Sequence, residues 1–167
     1  TPRYNFGINL NAEWKGIDFS IFFQGVMKRD WNPDAGQPYF WGVVGDEWQS
    51  CGFKEHLDYW SENNKNAYYP KPYLNGSTQK NQQTQTRYLQ SAAYMRCKNI
   101  QLGYTLPQAI TEKAGMNRVR AYLSCDNLFT VTGLSKIFDP EALNGGWGSG
   151  KLYPLQRTIA VGLNVTF

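Results

Sequence analysis

Residues 4–14 alternate without a break. Tyr4, Phe6, Ile8, Leu10, Ala12 and Trp14 fall on one side, and Asn5, Gly7, Asn9, Asn11 and Glu13 on the other. A period of two sustained this long predicts a β-strand with one apolar and one polar face. Lys15-Gly16 is a two-residue turn signal. Residues 17–26 then alternate again, with Ile17, Phe19, Ile21 and Phe23 opposite Asp18, Ser20, Phe22 and Gln24. The pair reads as a long hairpin. A third strand is predicted over about 94–106, where Ile100, Leu102, Tyr104 and Leu106 alternate with Gln101, Gly103 and Thr105. Before Asn99 the phase slips to Met95 and Cys97. Either a β-bulge lies near Lys98 or the upper strand has left the apolar zone. Pro107 ends the strand, and Gln108–Gly115 reads as one or two helical turns closed by Gly115. A fourth strand is predicted over about 118–129, with Val119, Ala121, Leu123 and Cys125 on its apolar side. A fifth covers about 156–167. There Ile159, Val161, Leu163, Val165 and Phe167 alternate with Thr158, Ala160, Gly162, Asn164 and Thr166.

Between these runs the periodicity dissolves. Residues 27–91 hold scattered Trp, Asn, Gln and Pro; a short helix is expected at His56–Asn64, and Gly76–Thr86 is a polar, low-complexity run. Residues 131–155 form a second, Gly-rich loop. The connections therefore alternate short, long, short, long. Outer-membrane β-barrels sort their loops this way, with short periplasmic turns and long extracellular loops. The expected layout is strands at about 4–14, 17–28, 94–106, 118–129 and 156–167. Extracellular loops then fall at about 29–91 and 131–155, and periplasmic turns at 15–16 and 107–117. The last strand runs towards the periplasm. Five strands cannot close, because the smallest such barrels have about eight. The chain also enters its first strand almost at once, which fits a part of something larger.

Composition narrows the picture. Aromatics are 16% and charged residues only 18% of the 167 residues, a mixture that favours an all-β protein over a helical bundle. The mean hydropathy of −0.55, with no apolar run of about 18–20 residues, excludes a helical membrane protein. It leaves a barrel open, since barrel strands are only half apolar. The net charge of +4 comes from scattered Lys and Arg, not the clustered patch of a nucleic-acid binder. The polar faces carry Asn, Ser, Thr, Gln and Gly, which suit a lumen. Tyr4, Trp14 and Phe167 stand near strand ends, where aromatic girdles form.

Several segments, taken in order, resemble a known family. Phe22-Phe23-Gln24-Gly25-Val26 leads into Lys28-Arg29-Asp30-Trp31, followed by Asn66-Ala67-Tyr68-Tyr69-Pro70. Then come Tyr94 to Pro107, Val119-Arg120-Ala121-Tyr122, Asp126-Asn127-Leu128-Phe129-Thr130, Phe138-Asp139-Pro140-Glu141, and the terminal strand to Phe167. The set resembles the C-terminal end of SusC/RagA-type TonB-dependent transporters, over nearly the whole chain. The resemblance implies the last five strands of an all-β, antiparallel barrel of about 22 strands with a plugged lumen. It also implies a Gram-negative outer-membrane location with the C-terminus periplasmic. Implied partners are a SusD/RagB-like surface lipoprotein, the TonB complex and the barrel-assembly machinery, besides outer-membrane lipid; nucleic acid is not among them. The implied activity is active import of oligosaccharides or oligopeptides, without bond chemistry. The plug and TonB box would lie outside these residues. A passive porin or structural barrel is the alternative, followed by a soluble carbohydrate-binding β-sandwich.

The candidate sites follow from residue chemistry. Trp31, Trp41, Trp48, Trp60, Tyr68 and Tyr69, with Tyr39, Phe40, Tyr59 and Tyr73 nearby, have flat faces that suit sugar rings. Packing of the loop on itself or against a partner explains the same residues. Ile159, Val161, Leu163, Val165 and Phe167 form an amphipathic C-terminal strand of the kind read by the barrel-assembly machinery through β-augmentation. No catalytic residues, cofactor or metal are expected. Asp30–Gly36 has oxygen ligands at alternate positions like a calcium loop, but its glycine is one place late and Trp41 stands where Glu is needed. Asp139 and Glu141 read as loop-folding carboxylates, and His56 as loop surface. Cys97 and Cys125, where the family suggests ordinary small or apolar residues, read as reduced thiols facing lipid.

Overall fold

A computed structural model describes residues 2–34, 37–42, 52–72, 81–143, 150 and 152–167. Trp48, Tyr73, residues 76–80 of the polar run, and residues 144–149 of the Gly-rich loop lie outside these residues. The strands are β1 (Asn5–Trp14), β2 (Ile17–Val26), β3 (Asp30–Trp31), β4 (Gln90–Ser91), β5 (Tyr94–Thr105), β6 (Arg118–Asp126), β7 (Thr130–Thr132) and β8 (Thr158–Thr166). Two single-turn helices, α1 (Pro38–Trp41) and α2 (Gln108–Thr111), and three short 3-10 turns complete the elements. The chain forms two compact units. One holds Thr1–Arg29, Ala93–Thr132 and Leu155–Phe167; the other holds Asp30–Ala92 and Gly133–Pro154.

The first unit is an antiparallel sheet in the order β1-β2-β5-β6-β8. Its register keeps every apolar set together. Leu10 pairs Ile21, Ile21 pairs Ile100, Ile100 pairs Cys125, and Cys125 pairs Ile159. Two apolar rows nearer the first turn, Trp14, Ile17, Tyr104, Ala121 and Leu163 line up in the same way. A one-residue slip between any two strands would send these side chains to the polar face. The first turn is tight, with Lys15 at φ 47° and Gly16 at φ 84°, the paired positive φ of a type I′ hairpin. The turn between β5 and β6 is α2 followed by a 3-10 turn at Glu112–Ala114, ended by Gly115 at φ 71°.

The phase slip in the third strand is a bulge. Phe22 pairs Asn99 but Phe23 pairs Cys97, which leaves Lys98 as the extra residue. A new feature appears opposite it. The fourth strand stops at Asp126 rather than near 129, because Asn127 adopts φ 51° and turns the chain. β7 then resumes the pairing with the upper half of β5. Arg96, buried here, donates from Nε to Thr130 Oγ1 at 2.7 Å, and Thr132 Oγ1 donates to Ala93 O at 2.8 Å. Cys97 and Cys125 are free thiols, but both are buried and neither faces open surroundings as expected from sequence. Phe23 and Phe129 flank Cys97 across the ladder, their ring centroids are 6.3 Å apart, and Cys97 is fully buried. A larger side chain there would hold the two rings apart.

The second unit has little regular structure and a true core. Trp31, Phe40, Trp41, Tyr69, Tyr88, Ala92, Leu134, Phe138 and Leu143 are buried together. The chain around them is irregular, so backbone and side-chain hydrogen bonds fix it locally. Gln37 caps α1 by accepting from the Tyr39 N–H at 3.1 Å. Trp41 Nε1 donates to Asp34 O at 2.9 Å. β3 and β4 pair the two ends of the long connection. The helix expected at His56–Asn64 is instead a 3-10 turn at Lys54–Leu57; beyond it Tyr59 bridges Tyr69, and Ser61 bridges Asn64.

Candidate functional site

Three places carry chemistry: the two faces of the sheet and a cavity in the irregular unit. The apolar face is open to its surroundings. Val161 is 83% exposed, Trp14 67% and Leu163 64%, and Ile8, Leu10, Leu102 and Ile159 join them. The five residues of the terminal strand singled out above all lie on this face; Val165 is the most covered of them and Phe167 is almost bare. Trp14 and Tyr104 stand in one row at the short-turn end, and the Lys15 ammonium sits 5.0 Å from the Trp14 ring centroid.

The polar face is knitted across strands. Asp18 on β2 receives both Nε and a terminal nitrogen of Arg120 on β6, although β5 runs between them. The intervening residue is Gly103, which pairs with Asp18. A Cβ there would lie about 2.5 Å from both Arg120 and Asp18 side-chain atoms. Glycine thus leaves room for the ion pair in this arrangement. Gln101 Oε1 accepts a further bond from Arg120 at 3.3 Å, and the guanidinium lies 5.0 Å from the Tyr122 ring centroid. The Tyr122 ring in turn lies over Gly162, where a Cβ would collide with it. Further along, Asn99 Nδ2 donates to Asp126 Oδ1 at 2.7 Å.

In the irregular unit the aromatic candidates separate. Trp31 and Trp41 lie in the core, edge-on to Phe40. Their ring faces are occupied, so direct contact with a solute is closed to them. Tyr69 is also buried, against Phe40, His56 and Tyr68. Trp60 keeps 38% of its surface exposed, and Tyr68 is half-buried. His56 is not loop surface, as expected from sequence, but buried. Its Nδ1 accepts from the Phe53 N–H at 2.9 Å and its Nε2 faces Phe40 O at 3.0 Å. This pairing assigns the proton to Nε2. The ring ties the 3-10 turn to α1.

The other sequence candidates have local tasks. Asp34 O accepts the Gln37 N–H at 2.9 Å in addition to Trp41 Nε1, a turn role. Among the described residues no three metal-ligating side chains gather. Asp139 Oδ1 accepts the Glu141 N–H at 2.9 Å, which folds that loop and brings Phe138 into the core.

A cavity of about 430 Å³ opens in this unit, lined by Trp60, Lys65, Ala67, Tyr69, Pro70, Lys71, Asn81, Gln85, Arg87 and Tyr88. That volume lies within the range of small-molecule sites. The wall is built by Arg87, which donates from Nε to Tyr68 O at 3.3 Å and from a terminal nitrogen to Ala67 O, and lies 5.9 Å from the Tyr88 ring centroid. Burial, reinforced by the negative Glu55, pushes the Tyr69 hydroxyl well above its ordinary range; burial also raises Tyr88. Both are neutral phenols at physiological pH. Asp58 lies outside the wall, held low by hydrogen bonds from the Asn64 side chain and the Tyr68 N–H and by nearby Arg87. The sequence named Trp60 and Tyr69 here. It missed Arg87, Lys65 and Lys71, because scattered cations in an aperiodic stretch carry no pattern.

No family model matches the chain. Among curated proteins it is similar to TonB-dependent receptor P3 of Formosa agariphila, 28% identical over 100% of this chain and 16% of the relative. TonB-dependent receptor P26 of the same organism is 29% identical over 99% of the chain and 17% of the relative. The chain thus spans about a sixth of the length of these relatives. Among solved structures it resembles the RagAB peptide importer. In its open-open state the likeness has a TM-score of 0.72 and 31% identity, over 100% of this chain and 17% of that one. In its closed-closed state the TM-score is 0.73, again with 31% identity over 100% and 17% of the two chains. The matches run the whole length of both units, and with the antiparallel sheet just described they make the chain a barrel segment of a SusC/RagA-type TonB-dependent transporter.

Proposed function

We propose that this chain is the C-terminal, closing part of an outer-membrane transporter that imports oligosaccharides or oligopeptides under TonB control. The observation that carries the reading is the apolar face, which presents exposed apolar side chains on each of the five strands. In water such a face would be an aggregation site; against lipid it is the stable arrangement. The dimensions agree. Strands of about ten residues rise about 33 Å and, tilted about 45°, span roughly the 25 Å of a barrel's apolar band. Both edges of the sheet, β1 and β8, end the strand order. In lipid, open edges leave backbone groups unsatisfied at several kcal/mol each, so further strands belong on either side.

The topology supports an orientation. Both short turns, at Lys15-Gly16 and at 107–117, lie at one end of the sheet, and β8 finishes at that same end, opposite Arg118. Short turns are periplasmic in such barrels, so the C-terminus is periplasmic and the irregular unit is extracellular. Trp14, Tyr104 and Phe167 then form the inner girdle. The β8 strand serves twice, first as the segment presented to the assembly machinery and later as a stave. The polar face, pinned by the Asp18–Arg120 pair, lines the lumen against a plug supplied by other parts of the protein. A surface lipoprotein of the RagB kind is the expected partner on the outside, and the TonB complex supplies energy from within.

The test is uptake by cells producing the full-length transporter, with and without the TonB complex. Uptake of oligopeptides or oligosaccharides that disappears without the complex supports active import. Uptake that continues at an unchanged rate would overturn it and leave a passive pore.

A further inference from the structure

We infer that the cavity beneath Trp60 is a binding site for the anionic end of a small oligomer, a carboxylate-bearing unit with a flat face. Among the described residues that line it, three are cations, Lys65, Lys71 and Arg87, and none is acidic. Asp58, a carboxylate that feels the charge of Arg87, is already engaged by Asn64 Nδ2 at 2.9 Å and the Tyr68 N–H at 3.1 Å. Arg87 spends one edge on the carbonyls of Ala67 and Tyr68. Those bonds, with a further one to the Tyr88 side chain, fix the guanidinium in place and leave its remaining N–H groups for a ligand. A fixed guanidinium presents a preorganised fork to a carboxylate, and an immobilised donor loses less entropy on binding than a free one.

The remaining wall supplies what an anion alone does not need. Trp60, partly exposed, offers a ring face, and Asn81 and Gln85 offer side-chain amides. A concave site with charges of one sign focuses their field and raises the local concentration of an oppositely charged solute. The volume admits one or two sugar- or residue-sized units, so the site reads an end or a single unit and not a long stretch. A uronate-type sugar and the C-terminal carboxylate of a short peptide share the required chemistry. The inference deepens the import reading by naming a substrate class, but the binding itself does not depend on energy coupling.

The experiment measures binding to the purified full-length transporter in detergent by calorimetry. The probes are a galacturonate trimer against its neutral galactose counterpart, and a free-acid tripeptide against its C-terminal amide. The inference expects at least one acidic probe to bind at least tenfold more tightly than its neutral counterpart. The preference should shrink between 50 mM and 500 mM salt. It should also fall about tenfold in the Lys65→Gln/Lys71→Gln double variant, since each exposed charge pair is worth a few-fold. Both lysines are exposed, so these changes leave the core intact. Whichever acid binds identifies the source. Equal binding of acidic and neutral probes, no binding of either, or a preference that survives in the double variant overturns it. Because no uptake is measured, failure here is separate from failure of the import reading, which the TonB comparison decides.

Discussion

The two units of this chain treat apolar side chains in opposite ways. In the sheet, Val161 and Leu163 are mostly exposed and the aliphatic residues point outward in rows. In the irregular unit, Phe40 and Trp41 are at most 1% exposed and every core position but a few is aromatic. The two units therefore answer to two solvents. Where water surrounds the chain, apolar groups gather inward and must be large to stabilise a body with little regular structure. Where lipid surrounds it, there is no gain in hiding them, and the polar groups gather inward instead, as Asp18, Arg120, Gln101 and Asn99 do.

Removing one core ring attacks the water-side body alone. Trp41→Ala deletes a fully buried side chain and its hydrogen bond to Asp34, at an expected cost of about 3–5 kcal/mol. Limited proteolysis should then cut within residues 30–92 while the barrel keeps its heat-modifiable gel migration. The lipid side is probed by a charge. Leu163→Arg is expected to destabilise the barrel by about 2–4 kcal/mol near the bilayer midplane, measured by urea unfolding in liposomes. The control is Asn11→Arg on the opposite face, expected to change stability by less than about 0.5 kcal/mol. Equal effects from the two would erase the distinction between the faces. Gly103→Ala is the next step down. Its Cβ forces Arg120 and Asp18 apart, with an expected loss of about 1–3 kcal/mol in the same assay.

The smallest effect is a pH dependence of the irregular unit. Asp58 is held below its ordinary value by the Asn64 and Tyr68 hydrogen bonds and by Arg87. A depressed carboxylate contributes stability above its unfolded pKa and loses it as pH falls through the folded one. Protease resistance of the unit should therefore weaken only below about pH 4, the ordinary range of Asp, and Asp58→Asn should remove that dependence.

Much of the sheet could be read from sequence because alternation is a local signal. The faces of β1, β2 and β8, the Lys15-Gly16 turn and the slip near Lys98 are all visible in runs of ten residues. β7 was not, because three residues carry no period and the turn that creates it depends on the φ of Asn127 alone. The irregular unit was hidden for a deeper reason. Its core joins Trp31, Tyr88 and Phe138, far apart in the chain and at no regular spacing. Which aromatics were core and which exposed was therefore undetermined until the contacts were known. His56 shows the same limit: a single histidine in a polar stretch reads as surface, and only the Phe53 and Phe40 backbone groups give it a buried place.

The central claim is that the apolar face of the sheet meets lipid and the polar face does not. It is tested most directly by spin labels placed singly at Val161 and at its neighbour Ala160 in the full-length transporter, reconstituted in liposomes. The Val161 label should collide readily with lipid-soluble oxygen and be shielded from a water-soluble nickel chelate, and the Ala160 label should show less oxygen access. Nickel access at Val161 equal to that of a label in a water-exposed loop would contradict the account.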